Sequence, residues 1–123
     1  MKTIEPIDLI CPTYNNPLVL SQCVNSILAL NLGYPIRILI VNNGHPDSLS
    51  RIGAHPLVKV IQSGGRNLGW EGGLKLGLEH SKSEFVGFIN DDIFIPTASK
   101  DWIRILMSNF IDPQVGAVGP SSS

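Results

Sequence analysis

The sequence predicts an α/β fold on a mostly parallel sheet with helices on its faces, and three observations carry that reading. Short apolar runs of strand length recur at Ile7–Cys11, Ile36–Val41, Leu57–Gln62 and Glu84–Asn90, with a weaker one at Val115–Val118. Helical periodicity fills several of the intervals, and polar or glycine-rich clusters follow the strands. Continuous Ile/Leu/Val runs mark strands covered on both faces, as in parallel sheets. Alternating strand and helix then implies crossovers, which are right-handed as a rule.

The elements follow in order. After the first strand, Asn16 stands at a helix N-cap with Pro17 at the first helical position. Leu20, Val24, Ile27 and Leu28 give this helix its apolar stripe, and it is expected to stop near Gly33. A second helix carries Trp70, Leu74 and Leu78 at a spacing of four. The third, after Pro96, presents Ile103, Leu106, Met107 and Phe110 on one face, with Thr97 or Ser99 available as its cap. All three stripes read as core.

At 123 residues the chain suits one domain spanning 1–123, of a size that buries roughly two-thirds of its unfolded surface. A composition of 43% hydrophobic and 15% charged residues fits a sheet covered on both faces. The net charge of −1, with no basic tract, argues against a nucleic-acid partner, so any anionic ligand must be held by local groups. Cys11 and Cys23 lack metal-site spacing and read as reduced, packed thiols. Glu5, Pro6 and Asp8 interrupt the apolar stretch from Met1 to Pro12, which excludes a signal-peptide core or transmembrane segment there. A cytoplasmic protein is the resulting expectation.

In parallel α/β sheets the ligand sits outside the carboxyl ends of the strands, and the unusual residues of this chain all fall there. Thr13, Tyr14 and Asn15 supply a hydroxyl, an aromatic plate and an amide beside a helix N-terminus, a set able to stack a base and hydrogen-bond its edge. Asn42 and Asn43 offer both donors and acceptors, although Asn-Gly is also a common turn pair. Gly64, Gly65, Gly69, Gly72, Gly73 and Gly77 let a backbone approach a ligand and open a helix toward phosphate. Arg66 and Lys75 are the nearby cations for a diphosphate. The glycine pattern fits neither the dinucleotide-binding G-x-G-x-x-G nor the P-loop.

The strand Phe85–Ile89 runs through Asn90 into Asp91 and Asp92. An unpaired carboxylate is costly to bury, so the pair belongs at a strand end facing a cleft. Two adjacent like charges repel unless a cation offsets them. Beside a phosphate-friendly loop, this suggests Mg²⁺ or Mn²⁺ bridging protein and diphosphate, since both prefer oxygen ligands.

Taken in order, CPTYNNPLVLSQCVNSIL (11–28), ILIVNNG (38–44), GGRNLGWEGGLKLG (64–77) and FVGFINDDIFIP (85–96) resemble the successive landmarks of family 2 glycosyltransferases, over about residues 7 to 120. The resemblance implies a GT-A fold with a Rossmann-like sheet, and an inverting transferase that moves a sugar from a nucleotide-diphosphate donor. By position, Pro12, Thr13, Tyr14 and Asn15 match the nucleotide-binding segment, and Asn42-Asn43-Gly44 the base and ribose contact, with Asn in place of both acids. Asn67, Gly69 and Lys75 match the loop and helix beside the nucleotide. Asn90-Asp91-Asp92 matches Asp-x-Asp, implying Asp92 as metal ligand and Asp91 as its helper.

In that family the general base lies well downstream of Asp-x-Asp. Glu71, Glu79, Asp101 and Asp112 lie on the wrong elements to replace it, so the sequence reads as the donor-binding half, lacking the acceptor half. The expected partners are a nucleotide-diphosphate sugar and an acceptor of unassigned class, whether glycan, lipid or protein. Self-association through uncovered apolar edge surface is also expected. Two other classes compete: a nucleotide-binding module without transfer, and a nucleotidyltransferase. The latter is disfavoured because no Arg/Lys-bearing glycine loop follows the first strand.

Overall fold

Four parallel strands, β1 (Ile7–Thr13), β2 (Ile36–Asn42), β3 (Val58–Gln62) and β4 (Phe85–Phe88), form one sheet in the order β3-β2-β1-β4. The structure is a computed structural model that describes residues 6–29, 35–99, 101–112 and 114–119. The register sets Thr13 beside Asn42 and Asn42 beside Gln62, so the polar strand ends line up. Every residue of β1 is buried, Asp8 and Thr13 included, as befits an inner strand covered on both faces.

On one face, helix α1 (Pro17–Ala29) and helix α3 (Trp102–Ser108) complete a core built on Leu9, Cys11, Leu20, Ile27, Ile38 and Ile103. On the other, helix α2 (Gly69–His80) covers Ile10, Leu39, Val41 and Ile61 through Leu74 and Leu76. Asn16 begins α1 with its carbonyl, which accepts the Leu20 amide at 2.9 Å. The expected end near Gly33 lies outside the described residues. Both cysteines are fully buried free thiols, and the neighbouring Cys23, together with burial, pushes the Cys11 thiol up.

Helix α2 reaches β1 only because Gly73 and Gly77 have no side chain. A Cβ on Gly73 would stand 2.8 Å from Pro12 Cβ, and one on Gly77 would overlap the fully buried Ile10 Cγ2. Gly77→Ala gains up to about 1 kcal/mol of helix propensity. It is nonetheless expected to lower stability by about 1–3 kcal/mol through overpacking, read as a lower urea midpoint.

Three sequence expectations are corrected. Val115–Val118 is not a strand: Gly116, Ala117 and Val118 line a cavity with β4 and α3, and the Val115 amide donates to the Asp112 carbonyl at 3.1 Å. A strand needs a ladder partner, and apolar β-branched residues alone do not supply one. The third helix does not start directly after Pro96; a 3-10 turn covers Thr97–Ser99, and Asp101 occupies the cap position of α3 without a side-chain capping bond. The fourth strand is shorter than its apolar run because the backbone turns at Asn90–Ile93, although Ile89 still donates to the Ile10 carbonyl at 3.0 Å.

Among the described residues, β4 has no neighbour on its outer edge, and Val86 and Phe88 are exposed there at 36% and 50%. That edge is where the expected self-association would act, and light scattering decides it. No described helix is long and apolar enough to cross a membrane.

Candidate functional site

At the carboxyl end of the sheet the chain leaves β1 toward β2 and β3 on one side and returns to β4 on the other. The crevice between β1 and β4 is therefore the topological switch point, where open α/β sheets bind ligands. A cleft of about 330 Å³ opens there. Pro12 and Thr13 line it from the end of β1, Tyr14 and Asn16 from the β1–α1 connection, Asn43 from just after β2, Asn67 from the loop before α2, Gly69 and Trp70 from the start of α2, and Asp91 from the turn after β4.

The central contact joins residues 78 positions apart: Thr13 Oγ1 donates to Asp91 Oδ2 at 2.8 Å. Thr13 is 3% exposed and holds one carboxylate oxygen, while Asp91 stays partly open. Asp92 is exposed and outside the cleft lining, as is Asn90, whose carbonyl accepts a weak bond from the Cys23 thiol at 3.7 Å.

The asparagines are mostly engaged in holding the walls. Asn15 adopts φ 53°, a left-handed conformation that Asn tolerates. Its Oδ1 accepts from the His45 amide at 2.9 Å and the Ser48 hydroxyl at 3.0 Å, which clasps the β1 and β2 loops together. Gly44 packs so closely against Asn15 that a Cβ could not fit. Asn42 is buried, donates to the His45 carbonyl at 3.3 Å and Gln62 Oε1 at 3.1 Å, and accepts from the Gly44 amide at 3.0 Å. Asn43 ties β2 to α2, donating to the Gly69 carbonyl at 3.1 Å and accepting from the Leu68 amide at 3.3 Å.

Gly64, Gly65 and Gly69 all have φ between 72° and 85°, a range reserved for glycine. Asn67 Oδ1 accepts from the Gly69 amide at 2.9 Å and so fixes the entry to α2. Arg66 and Lys75 are exposed and outside the cleft lining. Of the predicted residues, the structure thus brings Pro12, Thr13, Tyr14, Asn43, Asn67, Gly69 and Asp91 together. Asn15, Asn42 and Gly44 serve as scaffold beside and beneath them.

Trp70 and Asn16 line the cleft without having been singled out for binding. A tryptophan directly after a turn glycine, at a helix start, was the available signal: read as a core stripe, Trp70 is instead 46% exposed. Larger clefts of about 430 and 700 Å³ lie around α3 and residues 116–119; the first is lined by apolar residues apart from Glu84, and the second adds Ser99, Asp101 and Asn109 to a mainly apolar wall. Among the described residues no three His, Cys, Asp or Glu side chains converge as a metal cage.

The sequence matches the glycosyl transferase family 2 profile over residues 8–122. The chain belongs to glycosyl transferase family 2. Curated relatives of this family-2 chain include the pre-mycofactocin glycosyltransferase of Mycobacterium tuberculosis, 26% identical over 117 residues, covering 93% of this chain and 23% of the relative. The uncharacterized glycosyltransferase EpsJ of Bacillus subtilis is 26% identical over 100 residues, covering 77% of this chain and 28% of its own length. The chain thus spans about a quarter of the length of these relatives. S. aureus TarS 1–349, solved with UDP and with UDP-GlcNAc, shares the fold at a TM-score of 0.72 and 21% identity in each case. With UDP it covers 95% of this chain and 38% of TarS 1–349, so the family-2 chain corresponds to part of a GT-A domain.

Proposed function

We propose that the cleft binds the nucleotide diphosphate of a sugar donor and that the chain is the donor-binding part of an inverting, metal-dependent glycosyltransferase. The observation that carries this reading is Asp91, held by Thr13 at the switch point in a cleft that the exposed rings of Tyr14 and Trp70 also line. The same-fold TarS structures with UDP and UDP-GlcNAc support it.

The residues present fit a cation shared with the ligand rather than caged by protein. Asp91 has one oxygen held by Thr13 and the other free of protein partners among the described residues, and Asp92 stands exposed beside it. Mg²⁺ is commonly bound this way, through one or two carboxylates plus substrate phosphates. Asp91 and Asp92 would hold the metal, which supplies charge neutralisation to the departing diphosphate. The chain's own contribution is orientation: Thr13 fixes the Asp91 carboxylate, Asn43 and Asn67 fix the start of α2, and the first-turn amides beyond Gly69 suit phosphate oxygens.

In the transfer, an acceptor oxygen bonds to the anomeric carbon as the bond to the diphosphate breaks, and the acceptor proton passes to a general base. The one carboxylate lining this cleft already accepts from Thr13, which leaves no second carboxylate in that lining to act as the base. That favours, as second reading, nucleotide binding without transfer by this chain alone. Calorimetric titration with UDP, GDP and dTDP, with and without Mn²⁺, tests the main proposal. Metal-dependent binding is the expected result, and no binding by folded protein would refute it. Donor turnover with an acceptor separates transferase from binding module.

A further inference from the structure

Thr13, Tyr14 and Asn16 line the cleft, whereas Asn15 among them does not. Asn15 is also the one non-glycine residue with positive φ among the described residues. A single left-handed residue redirects the chain, so its conformation sets where the residues on both sides of it stand. Such a conformation persists where the surrounding structure enforces it.

Ser48 enforces it from 33 residues away. This residue lies in the 3-10 turn Pro46–Leu49 after β2, is 2% exposed and stands outside the cleft lining. Its Oγ accepts from the Asn15 amide at 3.1 Å and donates to Asn15 Oδ1 at 3.0 Å. A single buried hydroxyl thus fixes both the backbone and the side chain of the left-handed residue. The Ser48 amide donates to the His45 carbonyl at 2.9 Å, which closes the turn that presents the hydroxyl. On the other side of Tyr14, the Thr13 carbonyl accepts from the Asn43 amide at 2.9 Å. Tyr14 is therefore carried between two points that are both tied to the chain just after β2.

We infer that Ser48 is a positioning residue of the donor cleft, acting through Asn15 to set the Thr13–Asn16 segment before a nucleotide arrives. This rests on the nucleotide-binding reading above and adds to it a residue outside the cleft that governs affinity. A wall ordered in advance binds more tightly, because no ordering is left for the binding step.

The test is calorimetric titration with UDP, GDP and dTDP, each with Mn²⁺, on the unmodified chain, Ser48→Ala, Asn15→Gly and the double variant, with urea unfolding alongside. Glycine reaches the left-handed region freely but lacks the oxygen that Ser48 grips. Ser48→Ala and Asn15→Gly should each weaken nucleotide binding by about tenfold, the scale of two lost hydrogen bonds. The double variant should lose no more than the weaker binder of the two, because both substitutions break one contact. A merely structural role would lower the urea midpoint and leave the affinity of the folded protein unchanged. Unmodified affinity in folded Ser48→Ala, or losses that multiply in the double variant, would overturn the inference while the nucleotide-binding reading stands. Should Ser48→Ala fail to fold, Asn15→Gly decides: a tenfold loss supports the inference, and unmodified affinity overturns it. Absence of binding of every nucleotide by the folded unmodified chain would overturn both.

Discussion

Asp91→Ala is expected to lower Mn²⁺-dependent nucleotide affinity by about 10–100-fold, the usual loss when a metal ligand or its support is removed. The physical basis is the position of the carboxylate. Asp91 lines the cleft and receives the Thr13 hydroxyl at 2.8 Å, so its orientation is set before any ligand arrives. Asp91→Asn keeps an acceptor for Thr13 but removes the charge, and it should lose nearly as much metal-dependent affinity. Thr13→Val keeps the charge but frees the carboxylate, and it should give an intermediate loss. Asp92→Ala, at an exposed position outside the lining, should lose less than Asp91→Ala. Calorimetry with and without Mn²⁺ separates these variants, and wild-type affinity in folded Asp91→Ala would remove the cleft from consideration as the metal-bridged site.

Arg37→Ala should destabilise the fold by about 3 kcal/mol or more, the scale for leaving a buried charge without its partner. Asp8 is fully buried on β1, and Arg37, its neighbour in the register on β2, binds it through two nitrogens at 2.9 Å each. Ser81 adds a hydroxyl at 2.6 Å. Burial pushes the Asp8 carboxyl up, but the bonds from Arg37 and Ser81 and the Arg37 charge outweigh it and hold the group below its ordinary value. A depressed folded-state value contributes stability above the unfolded carboxylate range, near 3.9, and that stability is lost as pH falls through the folded-state value. In Arg37→Ala the compensation is gone and burial dominates, so the carboxyl moves up and low pH relieves the variant. The gap between wild type and Arg37→Ala should therefore be widest near neutral pH and shrink toward about pH 3. Asp8→Ala should cost less, because the Arg37 side chain is 43% exposed and can turn to water. Urea unfolding at a series of pH values gives both results, and a gap that does not change with pH would refute the charge-pair account.

Much of the architecture was legible from local pattern. The runs at Ile7–Cys11 and Ile36–Val41 read as central strands because burial on both faces leaves no room for alternation, and they are the inner strands of the sheet. The Asn16-Pro17 helix start and the placement of Thr13 and Asp91 at or just past the strand ends followed from chain chemistry alone. The weak run at Val115–Val118 misled, because a strand exists only where a ladder partner does, and that is not a property of four residues.

By itself, then, the sequence determined the α/β class, the order of the four strands and three helices, the family and the set of loops that meet at the site, but not that the run at Val115–Val118 stays out of the sheet. Tertiary structure alone decided what each polar side chain does there. Asn42 and Asn43 have the chemistry to read a base, but Gln62, Leu68 and Gly69 claim most of it, through bonds reaching 20 to 26 residues along the chain. Asp91 and Asp92 are adjacent and identical in type, yet only Asp91 meets Thr13 and lines the cleft. Trp70 has the spacing of a core residue and stands in the open instead. The physical reason is that apolar burial repeats with the period of the element and is written locally, whereas a hydrogen-bond partner is fixed by contacts the chain makes only after folding.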